Sequence, residues 1–330
     1  MYFDNVSALF QRLNQLGEAR RPCFFLINYE LTEGYLSLAG EEAPDFFATI
    51  QGRSNVTLPA PEDFPVSVAP NLTIHPESLE TYARRFEIIQ AGLHHGNSFL
   101  ANLTIRTPID GPLSLQSIFL HSPALYKVCL PHQFVCFSPE RFIAINAQGR
   151  IAAHPMKGTI DATLPNAAET ILSDPKEQAE HATIVDLLRN DLGSVATDIE
   201  VRRYRYIDRI ATAQGAILQV SSEVVGQLPS TWPSQLGDML SALLPAGSIC
   251  GAPKASTVKL IAEAEQISRG YYTGICGYFD GQTLDCGVMI RFIDCENNRL
   301  YYKAGGGITA MSRNEDEYQE VIEKVYVPIY

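Results

Sequence analysis

His154-Pro155-Met156-Lys157-Gly158-Thr159 ends a strand-patterned apolar run over residues 142–153. A proline and a glycine bracket a single lysine, so the chain turns there and holds one amine at a fixed place. Such an amine is a nucleophile only where its surroundings withdraw solvent and lower its pKa, because the ammonium form has no lone pair to offer. On these six residues alone, a solvated lysine in a Pro/Gly turn is the alternative. The choice between the two depends on the rest of the chain.

Upstream, strand-like segments at 98–106, 124–130, 133–137 and 142–153 follow one another through short turns, which predicts antiparallel sheet. Glu140 sits in one of those turns, Ser138-Pro139-Glu140-Arg141-Phe142, one strand before Lys157; an exposed Glu-Arg pair is the bland reading of it. A helix is expected over 76–93, with proline in its first turn, Leu79, Tyr82, Phe86, Ile89 and Leu93 at helical spacing, and Gly96 as its stop. Residues 1–75 read as a short helix over 6–16, strands such as 23–29, and a proline-rich connector over 58–65 too short and too apolar for a flexible linker.

Downstream, Asp174-Pro175-Lys176-Glu177 opens a helix that runs to about Asn190. Glu177, Glu180, His181 and Ile184 share one face of it, with Glu180 at the border of an apolar run, where helical amphipathicity favours a surface carboxylate over an inward ligand. Two strands around 202–206 and 216–225 and a helix over 232–243 lead to a small-residue loop over 245–254 and a helix over 255–266. That loop lacks the Gly-Lys-Ser/Thr of a Walker A motif, so it is either a turn whose amides face an anion or a tight turn and nothing more. Strands at 270–279, 283–293 and 299–304 precede Gly305, Gly306 and Gly307, whose uncovered amides between strand and helix suit contact with a carboxylate. The last helix is expected to open on a capping box, Ser312-Arg313-Asn314-Glu315, and to carry Glu317 and Glu320. Glu-x-x-Glu pairs on two helices offer oxygen ligands suited to a magnesium ion, although ordinary solvated helices carry such pairs too.

Composition narrows the classes. With 25 basic against 37 acidic residues the net charge is −12, and no Lys/Arg tract could track a phosphate backbone, so nucleic acid is not an expected partner. An acidic protein that binds a small anion must supply cations locally, from placed Arg/Lys or from a metal. No apolar run reaches the length of a membrane span and no basic region precedes an apolar one at the N-terminus, so no membrane contact and a cytoplasmic location are expected. The seven cysteines are odd in number and form no Cys-x-x-Cys pair, which suits reduced core thiols better than a disulfide frame or a zinc site.

Ser138-Pro139-Glu140-Arg141-Phe142, Pro155-Met156-Lys157-Gly158-Thr159, Ala179-Glu180-His181 with the run 184–193, the loop 247–254, and Lys303-Ala304-Gly305-Gly306-Gly307-Ile308-Thr309 resemble, in that order, the signature blocks of the chorismate-utilising enzymes. The resemblance covers residues 76–330. It implies an α+β fold of two packed antiparallel sheets flanked by helices, and one chorismate-binding domain over 1–330 in which 1–75 is a shortened N-terminal part. Within the family, the lysine of Pro-Met-Lys-Gly-Thr matches the aminodeoxychorismate synthase branch, where other branches carry alanine. The resemblance then implies that Lys157 adds to C2 of chorismate as the C4 hydroxyl leaves, with Glu140 as the general acid, and that ammonia enters at C4 and expels the lysine. It makes Glu180 and Glu320 the magnesium-binding glutamates with Glu317 in support, and Thr159, Arg291 and the amides of Gly305, Gly306 and Gly307 the substrate-holding groups. The implied product is 4-amino-4-deoxychorismate, on the 4-aminobenzoate route to folate, with ammonia supplied by a separate glutamine amidotransferase subunit. Anthranilate synthase component I and a non-catalytic chorismate-binding subunit are the alternatives. Two departures bear on them: Leu100 stands where relatives have glutamine or a water-activating lysine, and Leu218 where they have histidine.

Overall fold

In the computed structural model, which describes residues 1–41, 44–58, 72–212 and 215–328, the lysine stretch is strand rather than turn. The run 142–153 is two strands, Arg141–Ile145 and Arg150–Ala153, paired as a hairpin. Asn146 makes the break: its side chain accepts the amides of Gln148 and Arg150 at 3.0 and 2.9 Å, and Gly149 takes a φ of 74° that closes the turn without a Cβ clash. Met156–Asp161 then joins the same sheet at its end, against Gly215–Gln227.

Two antiparallel sheets result. One runs, in spatial order, Tyr2–Phe3, Gly34–Leu38, Cys23–Ile27, Ile275–Phe279, Leu284–Val288, Arg141–Ile145, Arg150–Ala153, Gly215–Gln227 and Met156–Asp161, with Thr197–Thr212 also paired to Gly215–Gln227. The other runs Gly251–Ala252, Leu100–Asp110, Arg299–Ile308, Phe292–Glu296, Phe134–Ser138, Tyr126–Leu130, Phe47–Ile50 and Arg53–Ser54. Cys23–Ile27 is buried at every residue, which a sheet with one wet face does not allow. Its two faces go to different cores. Cys23, Phe25 and Ile27 pack with Leu9, Leu13 and Leu240, from the helices Val6–Glu18 and Leu236–Leu243. Phe24 and Leu26 pack with Val128, Phe134 and Phe292 of the second sheet. That sheet in turn covers its outer face with Tyr82, Ile89 and Leu260, from the helices Leu79–His94 and Lys254–Glu265. The layers are helix, sheet, sheet, helix, the α+β arrangement that the motifs implied. Among the described residues no helix is long and apolar enough to cross a membrane.

At one place two neighbouring strands of each sheet lead directly into the other sheet. Phe134–Ser138 belongs to the second sheet and Arg141–Ile145 to the first, while Leu284–Val288 belongs to the first and Phe292–Glu296 to the second. The expected strand 283–293 is therefore two strands with a corner between them, at which Arg291 takes a φ of 53°. Backbone bonds tie the corners together: the Val288 N–H donates to Glu140 O at 3.1 Å and the Phe137 N–H to Arg291 O at 3.0 Å.

Other boundaries also moved. The helix expected from Pro76 begins at Leu79, because the Ser78 side chain caps it by accepting the Thr81 amide. Gly305, Gly306 and Gly307 lie within the strand Arg299–Ile308, each opposite a residue of Leu100–Asp110, rather than between strand and helix. The capping box at Ser312 does not form, since that hydroxyl donates to Glu317 and accepts the Thr309 amide instead. The connector 58–65 falls almost wholly outside the described residues.

Glu265 and Arg269, each 2% exposed, fasten the helix Lys254–Glu265 to the strand Leu100–Asp110. The Glu265 carboxylate accepts Arg269 at 2.6 and 2.9 Å and the Thr104 amide at 2.8 Å, while Arg269 also donates to Asn102 O at 2.8 Å. Glu265→Gln leaves a buried guanidinium uncompensated, and we expect it to lower the unfolding free energy in urea by about 3–5 kcal/mol, with the apolar double replacement Glu265→Leu/Arg269→Met costing less than the two single losses together. A loss below about 1 kcal/mol, the size of an exposed pair, would show that the pair does not secure this strand.

Candidate active site

Where the strands change sheets, a cavity of about 600 Å³ opens, and its wall includes Glu140, Lys157, Thr159, Arg291, Gly305, Gly306, Gly307 and Glu320. The two remaining predicted residues, Glu180 and Glu317, lie behind that wall and are 6% and 5% exposed. The amphipathic reading of Glu180 as a surface carboxylate is thus corrected, for the side chain points inward.

Lys157 owes its place to a register shift between Met156 and Thr159, which leaves Lys157 and Gly158 out of the ladder. Gly158 has a φ of 93°, and a Cβ there would stand 2.8 Å from Glu177 Oε2, so glycine lets the helix Pro175–Gly193 close on the strand. Across that contact Lys157 Nζ meets Glu180 Oε2 at 2.7 Å. Burial works against charge on this amine, but Glu180, with Glu320 and Glu177 farther out, outweighs it and holds the lysine above its ordinary pKa. The lowered pKa expected of a nucleophile is not found in this arrangement. The physical reason is that the fold buries carboxylates together with the amine, so desolvation and ion pairing oppose each other.

The carboxylates come from two helices. Glu320, on Asn314–Glu323, accepts Lys324 Nζ at 2.7 Å, and Lys324 also donates to Gly305 O at 2.9 Å. Burial alone would raise the Glu320 carboxyl, yet Lys324, then Lys157 and Lys176, hold it below its ordinary value. Burial pushes Glu317 up despite the Ser312 hydroxyl that donates to it at 2.6 Å, and pushes Glu177 up as well. Glu177 Oε2 is buried with no hydrogen-bond partner. These are hard oxygen donors of the kind magnesium takes, and the partnerless oxygen is compatible with such an ion. Among the described residues, however, no three Asp, Glu, His or Cys side chains stand close enough to enclose one as they lie. The donor chemistry fits the metal, and lysine ammonium groups contact two of the carboxylates, Glu180 and Glu320.

Opposite the lysine, Glu140 is half-buried and its carboxyl is raised by burial, only partly countered by the Ser248 hydroxyl at 3.4 Å and by the Arg291 charge. A carboxyl held up in this way keeps its proton nearer to neutral pH, as a general acid requires. Arg291 forms no ion pair with a carboxylate among the described residues, and its guanidinium lies 5.6 Å from the Tyr326 ring. Its Nε is buried with no hydrogen-bond partner, so this half-buried guanidinium has a donor that an anionic ligand could take. Beside it, Phe292–Glu296 pairs with the glycine strand only as far as Lys303, so from Ala304 onward that strand has a ladder partner on one side, Leu100–Asp110, and, among the described residues, no strand partner on the other.

Several wall residues escaped sequence reading. Ser248 comes from the loop 245–254, whose Lys254 Nζ is held within the protein by Asp191 at 2.9 Å and Leu243 O at 2.7 Å. Gln219 reaches the cavity and its neighbour Leu218 does not, as strand alternation requires. Leu100, 7% exposed, packs toward Gly307 and gives the wall an apolar patch. Lys324 and Tyr326 carry no motif, and only the i, i+4 spacing of Lys324 from Glu320 could have pointed to the first of them.

A family model described as chorismate binding enzyme matches residues 18–329. A Haemophilus influenzae protein named as an uncharacterized PabA-like protein is 48% identical over 320 residues, spanning 97% of this chain and 96% of its own length. Aminodeoxychorismate synthase component 1 of Klebsiella aerogenes is 34% identical over 266 residues, which is 75% of this chain but 57% of that protein. The crystal structure of anthranilate synthase component I from Streptococcus pneumoniae matches with a TM-score of 0.65 and 27% identity, over 81% of this chain and 61% of that one.

Because burial raises the Glu140 carboxyl in the folded state, its contribution to stability is full below its unfolded value of about 4.5 and is lost as pH rises through the folded value. Glu140→Gln cannot ionise. We therefore expect its stability in urea to equal that of the parent protein near pH 4 and to exceed it at pH 8; a variant that is less stable at pH 8 would contradict the raised carboxyl.

Proposed function

This chain belongs to the chorismate binding enzyme family, and from that premise we propose that it converts chorismate and ammonia into 4-amino-4-deoxychorismate, as aminodeoxychorismate synthase component I does. One observation carries the reading: a lysine amine, Lys157, stands on the same cavity wall as a carboxyl raised by burial, Glu140, and a guanidinium without an acidic partner, Arg291. Chorismate has two carboxylates, a ring diene and a hydroxyl at C4. Arg291 binds one carboxylate, and the free side of the glycine strand, with Thr159 across the cavity, positions the other.

In this reading Lys157 adds to C2 of the ring while the C4–O bond breaks, and Glu140 gives its proton to the departing hydroxyl, which leaves as water. Ammonia then bonds at C4, the double bond returns, and the C2–N bond to Lys157 breaks, so that ammonia enters and water leaves overall. A magnesium ion held by Glu180 and Glu320, with Glu317 in support, would draw electron density from the ring through its carboxylate and make C2 attackable. Leu100 supports amination over hydration, because a leucine cannot take a proton from water. The ammonia would come from a separate glutamine amidotransferase, and the PabA-like name of the Haemophilus relative is in keeping with such a pairing. The product would feed 4-aminobenzoate formation.

Incubation with chorismate, ammonium and magnesium, followed by an aminodeoxychorismate lyase, is expected to yield 4-aminobenzoate. Anthranilate without lyase would sink this reading in favour of the anthranilate branch, and bound but unturned chorismate in favour of a binding subunit. Lys157→Ala should abolish 4-amino-4-deoxychorismate, and Glu140→Gln should lower kcat by roughly 10²–10⁴-fold. Arg291→Met should raise KM by about 10–100-fold, the worth of a charge-assisted hydrogen bond. Unchanged product formation by Lys157→Ala would remove the covalent step.

A further inference from the structure

Glu177 and Glu180 come from one helix and Glu317 and Glu320 from another, and the carboxylates of all four are within electrostatic reach of Lys157. Two further ammonium groups belong to the same helical faces as the acids they touch. Lys176 lies one turn before Glu180, 3.9 Å from its Oε1, and Lys324 one turn after Glu320, at 2.7 Å. Lys157 differs from both. It arrives from a strand and meets Glu180 at 2.7 Å, closer than Lys176 does, while Lys157 and Lys176 both interact electrostatically with Glu177, Glu317 and Glu320. Its ammonium therefore rests on the Glu180 carboxylate, an oxygen that a bound cation would also claim.

We propose that Lys157 is a resident cation that competes with the divalent metal for Glu180, so that seating the metal and releasing the amine toward the substrate are one event. The proposal rests on the metal and lysine roles argued under the proposed function and adds their mutual exclusion. Charge favours the exchange: four carboxylates against three ammonium groups leave one negative charge over, and a divalent ion entering as Lys157 withdraws balances the cluster. Local structure permits it as well. Lys157 and Gly158 are outside the strand ladder, so the side chain can withdraw without breaking sheet bonds, and Glu177 Oε2, buried with no hydrogen-bond partner, is an oxygen ready to share the ion. An order of events follows, in which the amine is held away from a bound diene acid until the metal is in place.

The test is a calorimetric titration of the whole chain with Mn²⁺, without chorismate. Lys157→Met should bind Mn²⁺ about 10-fold tighter than the parent protein, equivalent to removing a competitor worth about 1.4 kcal/mol. Lys157→Arg, which keeps the charge, should bind no tighter than the parent, and Lys176→Met, which removes a half-exposed ammonium 3.9 Å from Glu180, should change affinity by about 2-fold at most. Lys157→Met should also melt lower than the parent in EDTA and recover on adding Mn²⁺, since Glu180 is then buried without its partner. Should that variant fail to fold, the parent protein alone decides: an amine-directed label, located by mass spectrometry, should mark Lys157 faster with saturating Mg²⁺ than in EDTA. Equal or weaker Mn²⁺ binding by Lys157→Met, or labelling that metal slows or leaves unchanged, overturns the competition while the proposed reaction stands. Absence of metal binding by both parent and variant overturns the metal assignment itself, and this inference with it.

Discussion

Two backbone hydrogen bonds, from the Val288 N–H to Glu140 O and from the Phe137 N–H to Arg291 O, hold together the corners at which neighbouring strands leave one sheet for the other. Everything proposed for the site depends on that junction. A strand that stays in one sheet presents its side chains to a packed face, whereas strands that part company leave a gap with backbone corners at its rim. Here the rim carries a carboxyl on one corner and a guanidinium on the other. The gap also ends the pairing of Phe292–Glu296 with the glycine strand at Lys303, so the same departure opens one side of that strand.

On this frame the electrostatics are set by what is buried together. Burial alone would strip the charge from Lys157, and it raises the carboxyls of Glu140, Glu177 and Glu317. The fold instead buries amines and carboxylates side by side, and the outcome differs residue by residue: Lys157 is held up by Glu180, Glu320 is held down by Lys324, and Glu140, with only Ser248 and more distant cations to steady its charge, is raised. The acid and the amine are thus driven by different local balances in one cavity, which is how a single site can keep a proton donor and a cation within reach of the same ligand.

The helices were legible because their apolar residues recur at helical spacing, and the candidate site residues could be named because the motifs are spelled out literally around Glu140, Lys157, Glu180 and the glycines. The corner at 289–291 was not legible: Leu284–Val288 and Phe292–Glu296 are joined by Met289, Ile290 and Arg291, with no glycine or proline to mark a break, and only pairing to different partners separates them. The glycine strand hid for the opposite reason, since three residues without side chains have no alternation to read. Glu180 looked like a surface residue because amphipathicity ranks a carboxylate by polarity and cannot see the lysine that comes to meet it from another element. For the same reason the charge on Lys157 lay beyond the six residues around it: it is fixed by acids on helices far along the chain.

The paired corners also bear on how such a protein would fail. Glu140 and Arg291 are carried by the covalent links between the layers, not by loops that could fray independently, so the rim cannot loosen without the two sheets sliding apart. Loss of ligand recognition and cooperative melting would then be a single transition, and chorismate affinity would report on the integrity of the whole sandwich rather than on a local region of it.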